Sequence, residues 1–225
     1  MGQAIGTVLP LAIAIAIFPV PVIAAVLLVG SERGRLKGGA FVVAWYGGLV
    51  AIGGIVLAFA GALDASDDGK PATWVDVVLL VLGVVVVALG VKQWRARPRG
   101  GEEAPTPGWM RAIDEFTVVR AAAAGLALTA LNPKNVLLVA AAAAEIAEFG
   151  LSTGHEIAAL VIFVLLASAG VLAPLVLVLV LGDRSQDLLD AVRGWMGRYN
   201  AVIMTVLLLL IGAKLIGDSI AGFST

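Results

Sequence analysis

A polytopic α-helical membrane protein is the fold class predicted for this chain of 225 residues, on three observations: strong apolarity, six long apolar stretches, and no strand-like alternation. Hydrophobic residues make up 60% of the chain and charged residues 14%, with a mean hydropathy of +1.03. A soluble domain carries roughly a quarter of its residues as Asp, Glu, Lys and Arg, so water is not the main solvent here. Crossing a ~30 Å hydrocarbon layer takes about 20 apolar residues. The stretches at 4–29, 38–63, 74–94, 117–144, 157–181 and 201–220 each meet that length. A backbone facing lipid must satisfy its own hydrogen bonds, and the alternation of a membrane barrel is missing, so the spans are expected to be helices.

The same composition removes whole classes of chemistry. The chain has no cysteine, which excludes disulfides, thiolate metal sites and thiol redox relays. The middles of the spans hold no Asp, Glu or His, so no transition-metal or calcium site is expected, and a cation channel or metal exporter is disfavoured. There is no Walker lysine motif, Gly-x-Ser-x-Gly or His-Glu-x-x-His. The expectation is a protein that is not an enzyme, carries no cofactor and binds no nucleic acid. Residues 1–7 carry no Lys or Arg before the first apolar run, which argues against a cleaved signal peptide.

Charge placement gives the orientation. Arg33, Arg35 and Lys37 follow the first span, Lys92, Arg95, Arg97, Arg99, Arg111 and Arg120 surround the third loop, and Arg184, Arg193 and Arg198 precede the sixth span. The intervening loops are almost free of cations: 63–73 holds only Lys70, and 145–156 holds none. By the positive-inside rule the basic loops are cytoplasmic and both termini of this multi-pass protein face outward. Asp64, Asp67, Asp68, Glu145, Glu148 and Glu156 fall at the outer rims and read as solvated polar ends, with proton coupling by one of them the lesser reading. Lys214 lies near the outer end of the sixth span and can snorkel. His155 stands alone in an outer loop without a ligand set.

The third loop, residues 100–108, is rich in Gly, Pro and Glu and reads as a flexible linker. It separates a first three-helix unit, residues 1–98, from a second, residues 117–225, with the linker region at 99–116. Trp109, Met110, Ile113 and Phe116, and again Leu188, Leu189, Val192, Trp195 and Met196, recur at helical spacing and predict two short amphipathic helices at the cytoplasmic interface.

Three spans per unit is an odd number, so two related units must be inserted as inverted 3+3 repeats. The first span of each unit carries proline near its middle, Pro19 and Pro21 in the first and Pro133 in the fourth. Matched interruptions of this kind mark the substrate site of many carriers. Inside a helix a proline removes a donor and clashes with the carbonyl four residues back, at about 3 kcal/mol, whereas at the first helical position it is favoured. Asn132 is a good N-cap before Pro133, so the fourth span is expected to break and restart there. A functional break and a plain kink both remain open for Pro19 and Pro21. Two restarting helices would each direct about half a positive charge toward the midplane, a geometry that favours an anion.

Lys134 follows immediately and is expected near the bilayer centre, where insertion of Lys costs about 2.5–3.5 kcal/mol on translocon scales. No acid lies mid-span to pair with it. It either meets an anionic group in a cavity or clamps carbonyls freed by the breaks. Asn132, Asn135, Thr129, Ser168 and, less centrally, Lys214 are the other candidate substrate contacts, although intrahelical bonding is the default for the hydroxyls. Gly47, Gly48, Gly53, Gly54, Gly83 and Gly212 read as small residues that let helices approach.

These residues also carry a resemblance. Phe18-Pro19-Val20-Pro21, Ser31-Glu32-Arg33-Gly34-Arg35, Ala40-Phe41-Val42-Val43-Ala44-Trp45, Ala130-Leu131-Asn132-Pro133-Lys134-Asn135 and Trp195-Met196-Gly197-Arg198-Tyr199-Asn200 resemble the GAP family of actinobacterial lipid-addressing proteins. That family includes sulfolipid- and glycopeptidolipid-addressing proteins and sits in the LysE transporter superfamily. The superfamily's amino-acid exporters usually show Pro-Gly-Pro-Asn in the first span, where this chain has Pro19-Val20-Pro21-Val22, so the lipid branch fits better. The resemblance implies a six-helix carrier, often a homodimer, that moves or displays complex lipids or glycolipids across the bacterial inner membrane.

The leading functional expectation is an exporter or flippase for an amphipathic anionic lipid or glycolipid, with Lys134 and the helix N-termini holding the head group. The alternative is an exporter of a small amino acid or related metabolite. A third reading is an assembly factor that recruits a lipid-synthesis enzyme through its basic loops.

Overall fold

The computed structural model describes residues 1–64, 73–97 and 113–223. Among the described residues the chain forms nine α-helices and no strand: α1 (Gly2–Ala16), α2 (Pro19–Gly30), α3 (Gly34–Asp64), α4 (Thr73–Arg95), α5 (Val118–Ala130), α6 (Pro133–Glu148), α7 (Thr153–Ala167), α8 (Ala169–Leu181) and α9 (Gln186–Gly222). Helices α3, α4 and α9 are each long and apolar enough to cross a membrane alone. The other six form bent pairs, α1–α2 at 55°, α5–α6 at 62° and α7–α8 at 60°, giving three to six candidate spans. Large apolar side chains stand bare on the outside, among them Val43, Phe59, Val119, Val180 and Leu210. Water would not tolerate so much exposed apolar surface, but lipid does.

Two of the three breaks have a local cause. At the first, Pro19 and Pro21 open α2, and Phe18 before them takes an extended conformation. At the second, Asn132 is extended and Pro133 occupies the first helical position of α6. The third break, at Ser168, was not expected from the sequence and has no proline at the joint. There Gly170 presses against the carbonyl of Ala16, the last residue of α1, leaving no room for a Cβ. The fifth apolar stretch is therefore interrupted, while the second, α3, runs unbroken for 31 residues.

Small residues set the closest approaches. A Cβ on Gly83 of α4 would lie 3.1 Å from the Gly212 carbonyl oxygen of α9, and one on Gly212 would lie 2.9 Å from that of Gly83. Gly48 of α3 faces the Thr129 hydroxyl of α5, and Gly53 of α3 faces Leu160 of α7. Gly47 and Gly54 have open space beside them, so only one glycine of each expected pair carries the packing. Trp45, Phe41, Phe18 and Phe163 fill the core between these crossings.

The two halves interlock. Helix α4 lies along α9, α3 packs on α5 and α6, α1 packs on α7 and α6, and α2 packs on α8 and α9. Two expectations about the cytoplasmic side are corrected. Leu188 to Met196 do not form a separate helix, because α9 runs continuously through them for 37 residues. Lys37 is not a solvated loop cation: it lies buried in the first turn of α3, its Nζ donating to Ser31 Oγ at 3.2 Å. Of the other predicted interfacial helix, residues 109–112 lie outside the described residues, and Ile113–Glu115 form a single 3-10 turn with Ile113 buried. The linker at 100–108 and the acids Asp67 and Asp68 also lie outside the described residues.

Candidate binding cavity between two helix breaks

The first and second breaks meet. Phe18, Val20 and Pro21 from the start of α2 and Asn132 and Lys134 from the start of α6 line one cavity of about 220 Å³, closed by Gln93 of α4 and by Asn200 and Met204 of α9. The chain brings these segments together from positions more than a hundred residues apart because α2 packs on α9, α6 packs on α4, and α4 lies along α9.

The α6 side is held by its own side chains. Asn132 Oδ1 accepts from the Lys134 backbone N–H at 3.2 Å, which caps the helix. Pro133 cannot donate, and the chain turns away before the carbonyls of α5 find their usual partners. Asn135 Nδ2 answers one of them, donating to the Leu128 carbonyl at 2.7 Å. The break is thus stitched across by two asparagines, one on each side of Pro133. The α2 side differs. No side chain caps α2. Of its first three residues only Val20 carries an N–H, since the others are Pro19 and Pro21. At the α6 N-terminus the Lys134 amide is already occupied by Asn132; at α2 the Val20 amide has no such cap.

Lys134 reaches across the cavity, its Nζ donating to Gln93 Oε1 at 3.2 Å. None of the lining residues is acidic. Among the described residues its amine has no carboxylate partner, so its charge is met by neutral dipoles alone. Asn200 adds a buried Oδ1 without a hydrogen-bond partner. The cavity therefore presents a cation, amide donors and one idle acceptor. It can hold an anionic group that also carries a hydroxyl or other donor.

The depth of the amine departs from expectation. Gln93 is the third-last residue of α4, between Lys92 and Arg95, and Asn200 follows Arg198 closely on α9. Lys134 therefore lies level with the basic end of α4, not beside its middle. A lysine there meets a shorter path to water and a lower insertion cost than one at the centre.

The remaining sequence candidates fall elsewhere. Thr129 is buried, and its hydroxyl donates back to the Gly125 and Leu126 carbonyls at 3.2 and 2.9 Å while packing on Gly48. Ser168 is buried at the third break with its hydroxyl unpartnered, and it does not line the cavity. Lys214 is ion-paired to Glu145 and Asp218 and is likewise not a lining residue. Glu145, read as a solvated rim acid, is instead 1% exposed. Gln93 and Asn200 were missed as site residues because each stands beside arginines, where a polar side chain reads as an interface anchor.

A search of curated proteins and of solved structures found nothing that matches this chain. A family model does match, over residues 8–221, and that span holds all three breaks and every residue that lines the cavity. The chain belongs to the family of Sap, the sulfolipid-1-addressing protein, and is a multi-pass helical membrane protein with a lipid-related role.

Proposed function

We propose that this protein is a secondary carrier, an exporter or flippase, for an amphipathic anionic lipid or glycolipid of the inner membrane. The observation that carries the reading is Lys134, an amine with no carboxylate partner among the described residues, held at the meeting point of two helix breaks. A carrier needs a site that favours the head group without trapping it. A single amine with a neutral partner meets that need, where a preformed ion pair would compete with the ligand. The cavity of about 220 Å³ suits a head group and not a whole lipid. A place for the tail lies on the same seam between α4 and α9. Val91, Trp94, Thr205, Val206 and Leu209 line an apolar groove of about 310 Å³, and Trp94 and Thr205 directly follow the cavity residues Gln93 and Met204 in the chain.

The packing supports an inverted repeat of two three-span units. Exchanging the first span with the fourth, the second with the fifth and the third with the sixth maps the α3 contact with α5 and α6 onto the α7–α8 contact with α1 and α2. It maps the α4–α9 pair onto itself. Proline-opened helices α2 and α6 correspond under the same exchange. Alternating access then amounts to one unit rocking against the other around the shared cavity.

The test is lipid movement in proteoliposomes. Lys134→Ala is expected to keep its helicity and lower the movement of a labelled anionic lipid by about tenfold or more, the loss of one charged hydrogen bond to the head group. Wild-type rates in Lys134→Ala would remove this residue from the mechanism. Amino acids accumulating in a deletion strain whose envelope lipids are unchanged would shift the reading to a small-metabolite exporter.

A further inference from the structure

A second polar cluster lies at the far ends of the helices that form the cavity. Lys214 Nζ of α9 sits 2.9 Å from Glu145 Oε1 of α6 and 2.6 Å from Asp218 Oδ2, one turn along its own helix. Glu148, at the end of α6, lies within electrostatic reach of Asp218 and of Asp76 on α4. Ser219 Oγ of α9 donates to the Asp76 carbonyl at 2.8 Å, and Gly222 packs against the Asp76 carboxylate. Helices α4, α6 and α9 thus bring Asp76, Glu145, Glu148 and Asp218 to one end of the bundle, where Lys214 pairs with Glu145 and Asp218.

Two of the four acids are buried with one carboxylate oxygen unpaired, Glu145 and Asp76; Glu145 is the deeper and is the one paired with Lys214. Exposure rises from 1% at Glu145 to 22% at Lys214 and 40% at Asp218, a graded path from interior to surface. Glu145 Oε2 is buried with no hydrogen-bond partner. A buried carboxylate with one oxygen unsatisfied is costly when ionised, and a proton removes that cost by turning the acid neutral. Its Oε1 partner, Lys214, loses little, because Asp218 still pairs with it.

We propose that Glu145 is a proton-binding site reached from water through Asp218 and Lys214, and that it couples proton uptake to the lipid cavity. The proton site stands on its own geometry; the coupling rests on the carrier reading above. With Glu145 ionised, Lys214 bridges α6 to α9. When Glu145 takes a proton from solvent, Lys214 stays with Asp218 inside α9 and the bridge loses its charge. Both bridged helices also line the cavity. At 1.5 Å per residue, Lys134 lies about 16 Å from Glu145 along α6, and Met204 lies about 15 Å from Lys214 along α9. The two helices are rods running the same way, fastened at one end by this ion pair and parted at the other by the cavity.

The decisive measurement is an infrared pH titration of the full chain in lipid nanodiscs. Among the carboxyl bands that grow as pH falls, one component is expected in the wild type that is missing in Glu145→Gln and persists in Glu148→Gln and in Asp76→Asn. Should Glu145→Gln alone fold poorly, the neutral pair Glu145→Gln with Lys214→Met makes the same comparison. An identical carboxyl titration in wild type and in either Glu145 variant overturns the proton site. The second arm uses phosphatidylglycerol vesicles with a fluorescent phosphatidylglycerol probe. An imposed pH gradient should change wild-type movement by about fivefold or more, and Glu145→Gln should lose that response. A probe that moves in the wild type without regard to the gradient overturns the coupling. A probe that never moves overturns the carrier reading and the coupling with it, while the band still decides the proton site.

Discussion

Single side chains at the second break carry separable duties. Asn132 caps α6 and Asn135 satisfies a stranded carbonyl of α5. Asn132→Ala should cost about 0.5–2 kcal/mol as a lost cap. Asn135→Leu should cost about 1–3 kcal/mol by leaving the Leu128 carbonyl buried and unpaired. Reversible unfolding in mixed micelles would register both, and equal stability of either variant with wild type would show that water replaces the asparagine. Lys134 carries no comparable structural bond beyond Gln93. Native mass spectrometry is therefore expected to find anionic lipid retained by the wild type and lost from Lys134→Ala, at unchanged stability. Much of this was legible from residue order alone: Asn-Pro-Lys-Asn announces a cap, a helix start and a charge in succession. The stitch from Asn135 to Leu128 was not, because it depends on how sharply the chain turns at Pro133.

At the scale of helices, the bends and the glycine crossings decide the arrangement. Pro133→Ala restores the N–H that can bond the Thr129 carbonyl, so α5 and α6 should approach a single rod. The expected outcome is a higher melting temperature together with slower lipid movement; faster movement would mean that the bend is incidental. Gly83→Val should cost about 1–3 kcal/mol, since α4 and α9 touch backbone to backbone at Gly83 and Gly212. Two of the three breaks were readable, because proline at the head of a helix is a local event. The break at Ser168 was not, since its cause is the seating of Gly170 on Ala16, two residues far apart in the chain. The continuity of α9 through Leu188 to Met196 was hidden for the opposite reason: an amphipathic stretch followed by an apolar one reads as two helices when nothing marks that they join.

For the molecule as a whole, the charge pattern predicts both termini outside, and the absence of cysteine makes that directly measurable. Single-cysteine variants at Gly2 and Gly150 should react with an impermeant maleimide on intact cells, and one at Arg97 only after permeabilisation. The reverse pattern would invert the orientation and place the Lys134 cavity near the outer face. The two polar clusters differ in their balance of charge. Lys134 faces a cavity without acids, whereas Lys214 is neutralised by Glu145 and Asp218.

Apolar length, proline position and the sidedness of Lys and Arg determined, from the sequence by itself, that the chain is a helical membrane protein interrupted at Pro19 and Pro133. These are properties of short segments meeting a solvent, and a short segment carries them wherever it folds. Only the tertiary structure decided that Gln93 and Asn200 join Lys134, that the amine lies level with the basic end of α4, and that Glu145 is buried against Lys214. Those outcomes depend on which helices become neighbours, and in a chain whose spans are almost uniformly apolar that choice is made by a few glycines and breaks acting across long separations.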